Sequence, residues 1–274
     1  MRIFLAGGSG VIGSRLIPAL VVAGHDVVAT TRRAENLDAL RARGASGVVV
    51  DVYDGTRLAA VVADAAPDLV VHQLTDLSEY DRDANARLRR TGTANLVAAA
   101  QAAGVDRMMV QSIAWAYAEG NAPAVEDDPI EPGSAVDVME GLVRRVRHAT
   151  VLRYGMLYGP GTWYVPGGRI ADAVAAGLVP ATPAVTSFVH VDDAVAATVQ
   201  AIGWPDGAYN VVDDEPAPAT QWLPVLADGL GAPAPQVAEL PEGTPRGRGA
   251  SNVKARAAGW VPAHTSWREG FPRT

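Results

Sequence analysis

Short apolar runs alternate with longer amphipathic segments through the first 155 residues. The runs hold consecutive Val, Ile and Leu residues, which is typical of parallel strands buried on both faces. The predicted strands are 2–7, 25–30, 47–51, 68–74, 107–112 and 149–154. The predicted helices are 11–23, 35–43, 55–65, 81–103 and 135–147. This alternation predicts an α/β fold, a doubly wound parallel sheet of the Rossmann type.

The second half of the chain is less regular. Residues 156–187 are rich in Gly, Pro and aromatic residues, whereas 188–203 predict one strand and one helix. We therefore expect a larger domain and a smaller, mainly C-terminal lobe. The larger domain would comprise 1–160 plus 186–204, and the lobe 161–185 and 205–274.

Composition and charge favour a small-molecule partner. The 274 residues carry a formal net charge of −7 without a Lys- or Arg-rich block, which disfavours nucleic acid and anionic membranes. There is no cysteine, and the five histidines lack metal-ligand spacing, so no metal site is expected. The chain starts with a strand-like run, and no apolar run reaches the ~18 residues of a membrane helix. We therefore expect a cytoplasmic protein.

The first predicted strand leads into GGSGVIG at residues 7–13. Between a strand and a helix, the first glycine allows a tight turn and the second lets the backbone approach a phosphate. The third glycine lets the helix pack closely on the sheet. Free N–H groups at the start of the helix then face a pyrophosphate, so this segment predicts a dinucleotide site.

The ends of the second and third strands indicate which dinucleotide binds. Where NAD-binding proteins usually have an acidic residue, this chain has Arg32 and Arg33, and a guanidinium there can bind a 2′-phosphate. NADP(H) is therefore the expected cofactor, with NAD(H) as the alternative; two solvated arginines at a strand end would explain the same residues. Asp51 is placed either to accept from the adenine amine or to cap the next helix.

Motifs along nearly the whole chain resemble one family. They are GGSGVIG (7–13), DLVVHQLTD (68–76), the segment from Asn85 containing GTANLVAAAQAAGV, RMMVQS (107–112), LRYGMLYGPGT (152–162), FVHVDDAV (188–195), YNVVDDEP (209–216) and SNVKARAAGWVP (251–262). Together they resemble the extended short-chain dehydrogenase/reductases, the NAD(P)-dependent epimerase/dehydratase group. The resemblance implies strand order 3-2-1-4-5-6-7, a cofactor across the strand ends and a C-terminal substrate lobe. It also implies, in many members, a homodimer formed through two long helices.

The resemblance assigns residues to the cofactor site. The pyrophosphate would be held by Gly7, Ser9, Gly10, Val11, Ile12 and Gly13, and the 2′-phosphate by Arg32. Adenine would contact Asp51 and Val52, and the ribose side Gln73, Leu74 and Thr75. Ser112 would lie near the nicotinamide, which would contact the backbone from Tyr154 to Met156. His190, Asp192 and Asp193 match a signature that is more often structural, with the aspartates at the start of a helix.

Catalysis in this family depends on a Tyr-x-x-x-Lys pair on the helix after strand five. The lysine lowers the pKa of the tyrosine, which exchanges a proton with the substrate oxygen as hydride moves. Alignment on MEGLVRR puts Pro132 and Val136 at these two positions. No register restores the pair, because no tyrosine lies between Tyr117 and Tyr154 and the only lysine is Lys254.

Other side chains could replace the missing pair. Ser112 and Tyr117 are the candidate catalytic proton donors, followed by three tyrosines of the RYGMLYGPGTWY segment, Tyr154, Tyr158 and Tyr164. An aromatic substrate pocket is expected from Trp115, Tyr158, Trp163 and Tyr164; packing of these rings within the fold is the alternative.

The expected function is therefore an NADP-dependent oxidoreductase acting on a small, aromatic or cyclic substrate. It would reduce a carbonyl or an activated double bond, using a non-standard proton donor or an electrophile reactive enough to need none. Two alternatives stay open: a redox-neutral epimerase, dehydratase or cyclase on the same fold, and a non-catalytic NADP-binding protein.

Overall fold

The computed structural model describes residues 1–75 and 81–272. The strands are β1 (Arg2–Ala6), β2 (Asp26–Thr31), β3 (Ser46–Val49), β4 (Leu69–His72), β5 (Arg107–Ile113), β6 (His148–Tyr154), β7 (Met156–Tyr158), β8 (Val185–Thr186), β9 (Phe188–His190), β10 (Gly207–Val211) and β11 (Ala217–Pro218). Among the described residues, every helix is too short or too polar to cross a bilayer.

The helices connect these strands. They are α1 (Val11–Val22), α2 (Leu37–Ala42), α3 (Gly55–Ala65), α4 (Arg82–Arg87), α5 (Thr93–Ala102), α6 (Ala135–Val143), α7 (Arg169–Ala175), α8 (Val191–Gln200), α9 (Ala219–Gly229), α10 (Val253–Ala257) and α11 (Trp267–Gly270). A π-helical segment, Leu88–Gly92, joins α4 to α5, and short 3₁₀ helices cover Ala34–Asn36 and Ala201–Gly203.

Seven strands form the central sheet in the order β10-β6-β5-β4-β1-β2-β3. The pairings of β1 with β2 and β4, of β2 with β3, and of β4 with β5 are all parallel. The predicted fold class and strand order are therefore confirmed. The sequence pattern succeeds because helices cover both faces, so each central strand must be apolar on consecutive positions, as in the fully buried β4.

The chain divides into two compact units. Unit 1 contains residues 1–112, 130–152 and 198–208, and unit 2 contains 113–129, 153–197 and 209–274. These bounds differ from the predicted domains, which grouped 153–160 and 186–197 with the N-terminal residues. Residues 153–160 belong with unit 2 because β7 pairs in parallel with β9, from Met156 against Phe188 to Tyr158 against His190.

Each unit has its own apolar core. The core of unit 1 contains side chains of the sheet, α3, α5 and α6, with Phe4, Val70, Leu96 and Val143 each fully buried. The core of unit 2 is aromatic: Phe188 lies edge-on to Trp222, with ring centroids 5.3 Å apart, and to Phe271, at 5.4 Å. Such ring pairs add to the hydrophobic stabilisation of burial.

Candidate functional site

The glycine-rich turn joins β1 to α1 and lies against the ends of two neighbouring strands. Gly7 has a φ of +97°, and a Cβ built on it would lie 2.8 Å from the Gln73 carbonyl oxygen. A Cβ built on Gly13 would collide with the Gly7 carbonyl oxygen, so only glycine fits at both positions. Thr30 attaches the turn to β2, since its side-chain oxygen accepts from the Gly7 N–H at 3.3 Å.

The start of α1 can receive an anion. Gly10 is the N-cap residue, so no side chain occupies the cap position. A Cβ built on Gly10 would contact the Gly7 carbonyl oxygen, at 3.4 Å, and nothing else within 4 Å. The first N–H groups of a helix lack partners within the helix and attract phosphate oxygens. Val11, Ile12 and Gly13 supply these groups, and Ile12 contributes through its backbone because its side chain is buried.

A groove extends from this turn. Eight of the predicted cofactor residues line it: Gly7, Ser9, Gly10, Arg32, Val52, Gln73, Leu74 and Thr75. The sequence did not indicate Thr30, Tyr53, Leu58 and Leu88, which line it as well. The tight glycine turn, the open helix start and the residues that line the groove fit a dinucleotide.

The ends of β2 and β3 lie at one end of the groove. Arg32 lines the groove and is exposed. The carboxylate of Asp51 accepts from the Tyr53 N–H at 2.9 Å. Asp51 does not cap the next helix, so that alternative is wrong: Asp54 caps α3 by accepting from the Arg57 N–H at 2.9 Å.

A neutral histidine ends β4, next to the groove. His72 is buried, and its Nδ1 accepts from the Leu74 N–H at 3.2 Å, so its Nε2–H donates to the Thr93 hydroxyl at 2.9 Å. Burial, together with the nearby positive charge of Arg89, lowers the pKa of His72 to about 4. The uncharged imidazole therefore holds the backbone at Leu74 in place through this hydrogen bond.

Helix α6 lacks both members of the expected proton relay. It begins at Ala135 and is capped by Ser134, whose hydroxyl accepts from the Asp137 N–H at 3.1 Å. Pro132 therefore precedes the helix and is exposed, while Val136 is buried. No tyrosine or lysine lies on this helix.

The first candidate donor, Ser112, is already hydrogen-bonded. Its buried hydroxyl donates to Oε1 of Glu140, a fully buried carboxylate on α6, at 2.6 Å. The other oxygen of Glu140 accepts from the Arg144 guanidinium at 2.8 Å. Ser112 thus connects β5 to α6 within unit 1.

The second candidate donor, Tyr117, belongs to a polar network in unit 2. Its hydroxyl donates to Oδ1 of Asn210 at 2.6 Å and accepts from Nη1 of the buried Arg153 at 2.7 Å. The Arg153 guanidinium also lies over the Tyr117 ring, 4.7 Å from its centroid. Burial raises the pKa of Tyr117, against the lowering effect of Arg153. The sequence did not indicate Arg153, an arginine inside an apolar strand.

The predicted pocket aromatics separate into two groups. Tyr158 and Tyr164 are buried in the core of unit 2, where Tyr164 stacks on Phe271 with centroids 5.8 Å apart. Their placement favours the packing alternative. Trp163 is half-buried against the same core, whereas Trp115 is 52% exposed.

Tyr154 and Met156, the residues expected at the nicotinamide, lie in strands and use backbone groups in hydrogen bonds within the fold. Tyr154 ends β6 with its side chain buried, and its carbonyl accepts from the Ala114 N–H at 2.8 Å. The Met156 N–H donates to the Ser187 carbonyl at 2.8 Å, and the Met156 side chain is partly exposed.

The predicted signature around His190 has a structural role. Asp192 and Asp193 lie in the first turn of α8, as predicted. The Asp193 carboxylate also accepts from the backbone N–H groups of Ala263 and His264, at 2.8 and 2.9 Å, and contacts Nδ1 of His264 at 2.9 Å. His190, Asp193 and His264 offer ligand atoms within 4.8 Å of one another. However, the two imidazoles stack nearly parallel, 20° apart, so their in-plane lone pairs do not converge on one ion.

Comparison with known proteins places the chain in a family. The sequence model of the NAD-dependent epimerase/dehydratase family matches residues 3–212. The chain belongs to this family. A 3-diazoavenalumate denitrifying reductase from a Streptomyces species is 45% identical, and the match covers all of both chains. A UDP-glucose 4-epimerase from Mycolicibacterium smegmatis is 28% identical, over 100% of this chain and 97% of the relative.

The family resemblance inferred from the motifs is thereby confirmed. The solved UDP-glucose 4-epimerase of Thermus thermophilus, in complex with NAD, is similar over 98% of this chain and 96% of its own, with a TM-score of 0.80 and 25% identity. The relatives named here are a reductase and epimerases, so the chain resembles enzymes along its whole length.

Proposed function

We propose that this chain is an NADP(H)-dependent reductase that replaces the diazo group of a small aromatic carboxylate with hydrogen. One observation carries the proposal: α6 has no proton relay in a chain that is 45% identical, end to end, to a reductase of a diazo compound. The relative's name describes a substrate with a diazo group, the suffix of a carboxylate and a reduction that removes nitrogen.

The chemistry of such a substrate explains why the relay is dispensable. A carbonyl that gains hydride becomes an alkoxide and needs a proton, which the Tyr-x-x-x-Lys pair supplies in other members. An aryl diazonium ion is already cationic. When its ring carbon gains hydride, the carbon–nitrogen bond breaks and its electron pair leaves with dinitrogen. The products are the arene, with its carboxylate unchanged, and N₂, and no proton is transferred.

The residues of the groove supply binding and orientation. The open start of α1 and the glycine turn would hold the pyrophosphate, and Arg32 the 2′-phosphate. The apolar side chains of Val52 and Leu74, which line the groove, would exclude water from the bound dinucleotide. When bound, the reduced dinucleotide would supply the hydride.

A labelled-hydride experiment tests the proposal. The protein is incubated with 4-carboxybenzenediazonium and NADPH carrying deuterium on either face of the nicotinamide C4. We expect benzoate with deuterium at the former C–N carbon, from one label face only, together with N₂ and loss of NADPH absorbance. Reactions without protein or without NADPH are the controls. Turnover no faster than without protein, or unlabelled benzoate, would overturn the proposal.

The contact between Tyr117 and Arg153 favours a second candidate function, carbonyl reduction. A tyrosine hydroxyl that accepts from a cation at 2.7 Å resembles the missing Tyr–Lys pair in its chemistry. In that case a carbonyl panel would consume NADPH, and Tyr117→Phe would lower kcat by at least ~10²-fold. Retained diazonium turnover in Tyr117→Phe, with inactive carbonyls, would support the first function.

A further inference from the structure

The π-helical segment Leu88–Gly92 lies beside the groove. It packs against α5 and α6, and its first residue, Leu88, lines the groove. Single turns of π-helix inside α-helices often occur at functional sites, because they change the direction of side chains without ending the helix. The segment therefore lies beside both the groove and the helix that has no relay.

Three arginines on this stretch of helix differ in their contacts. Arg87 lies over the Tyr53 ring, 4.4 Å from its centroid, and Arg90 donates to the Gly133 carbonyl at 2.7 Å. Arg89 is half-buried, and no hydrogen bond or ion pair joins it to the rest of the described chain, residues 1–75 and 81–272. Arg89 is thus a cation without a counter-charge inside that part of the protein.

Such a cation is unfavourable in the free protein. Partial burial removes water from the guanidinium and lowers the pKa of Arg89, although an arginine remains charged at neutral pH. The buried His72, whose pKa the Arg89 charge helps to lower, is neutral and offers no negative charge. An anion bound against this guanidinium, beside the groove, would gain a charge-assisted, forked pair of hydrogen bonds with it.

We propose that the Arg89 guanidinium binds the carboxylate of the substrate. The inference deepens the proposed function and rests on it for the identity of the anion. A substrate carboxylate fits better than a cofactor phosphate, because the phosphate-binding groups lie at the β1–α1 turn and at Arg32 on β2. Arg89 lies near His72 on β4, and β4 flanks β1 on the side away from β2.

Equilibrium binding to the NADP⁺-loaded protein tests this assignment without turnover. The probes are 4-hydroxycinnamate and its uncharged amide, 4-hydroxycinnamamide. Wild type should bind the acid more tightly than the amide, by at least about 10-fold. Arg89→Gln should abolish this preference while leaving the Kd of the amide and of NADP⁺ within about 2-fold. Arg89→Lys should keep part of the preference for the acid, because lysine retains the charge but cannot form the forked pair of hydrogen bonds.

Matched controls separate binding from structure. Arg90→Gln removes an exposed arginine from the same segment and should keep the acid preference. Arg89→Gln should also be at least as thermally stable as wild type, because it removes a charge that has no counter-charge among residues 1–75 and 81–272, whereas loss of a structural arginine would lower the melting temperature.

Several outcomes would overturn the assignment. These are an equal acid preference in wild type and Arg89→Gln, no acid preference in wild type, or a loss confined to NADP⁺ binding, which would move Arg89 to a cofactor phosphate. Because the assay uses no diazo compound, failure of the labelled-hydride experiment and failure of this assignment are independent results.

Discussion

Arg32 is the residue on which the proposed preference for NADP(H) depends. It lines the groove at the end of β2, whereas the next residue, Arg33, is not part of the groove lining. Arg32→Ala should weaken NADPH binding by about 10- to 100-fold, because it removes a charge-assisted hydrogen-bonded pair with the 2′-phosphate. NADH binding should change little. Fluorescence titration of both dinucleotides measures this.

Arg33→Ala is the matched control for this prediction. It removes the same charge one residue further along and should keep the preference for NADPH. If NADH binds better to wild type, or if Arg32→Ala leaves the preference unchanged, Arg32 does not recognise the 2′-phosphate.

Single residues differ in how far the sequence reveals them. The role of the glycines in residues 7–13 was predictable from the sequence. Their spacing indicates a turn in which the backbone leaves no room for a side chain, as at Gly13. The surroundings of Glu140 and Arg89 were not predictable. A buried carboxylate, and a cation with no counter-charge in the described part of the chain, are defined by what surrounds them in space, and an isolated Glu or Arg in a helix has no such signal.

The pairing of β5 with α6 is an interaction between elements. Ser112 donates to Glu140 at 2.6 Å, and both side chains are buried, so the serine satisfies a carboxylate that has little water to replace it. Ser112→Ala should lower the free energy of unfolding by about 1–3 kcal/mol, the cost of removing a hydrogen bond to a buried carboxylate. Turnover in the labelled-hydride assay should stay within a few-fold of wild type. Chemical denaturation and steady-state kinetics provide the two measurements.

Ser46→Ala provides the control for a strand serine. Ser46 is exposed on the edge strand β3, so its substitution should change stability by no more than about 0.5 kcal/mol. The opposite result for Ser112→Ala, a loss of at least ~10²-fold in kcat with unchanged stability, would make Ser112 the proton donor instead.

The positions of strands and helices were predicted more reliably than the contacts between them. Apolar runs located six of the seven strands of the central sheet to within a residue or two, because both faces of the sheet are covered. The seventh, β10, was not predicted as a strand. The predicted helix 135–147 is shorter in the structure, Ala135–Val143, since Arg144 to Arg147 leave the helix before β6. The bond from Ser112 to Glu140 joins residues 28 positions apart, and no local pattern reports a contact at that separation.

At the scale of the whole molecule, two buried groups give the stability opposite pH dependences. Burial raises the pKa of Asp213 to about 8, so its contribution is present at low pH and is lost as the pH rises from about 4 to 8. His72 has a pKa lowered to about 4 from 6.5, so its contribution is present above pH 6.5 and is lost as the pH falls towards 4. Between about pH 4 and pH 6.5 the stability of the wild-type protein therefore changes through both groups at once.

A difference between variants isolates the His72 contribution, because the Asp213 contribution cancels. His72→Gln should be less stable than wild type at pH 7, since it loses the bonds to Leu74 and Thr93. The gap should narrow by about 2–3 kcal/mol by pH 4.5, because wild type must then keep a buried imidazole neutral. Urea denaturation at several pH values measures the gap. Thr93→Val removes the hydroxyl but not the titrating group, so its gap should stay nearly constant. A gap for His72→Gln that is equally constant would show that His72 does not limit stability in acid.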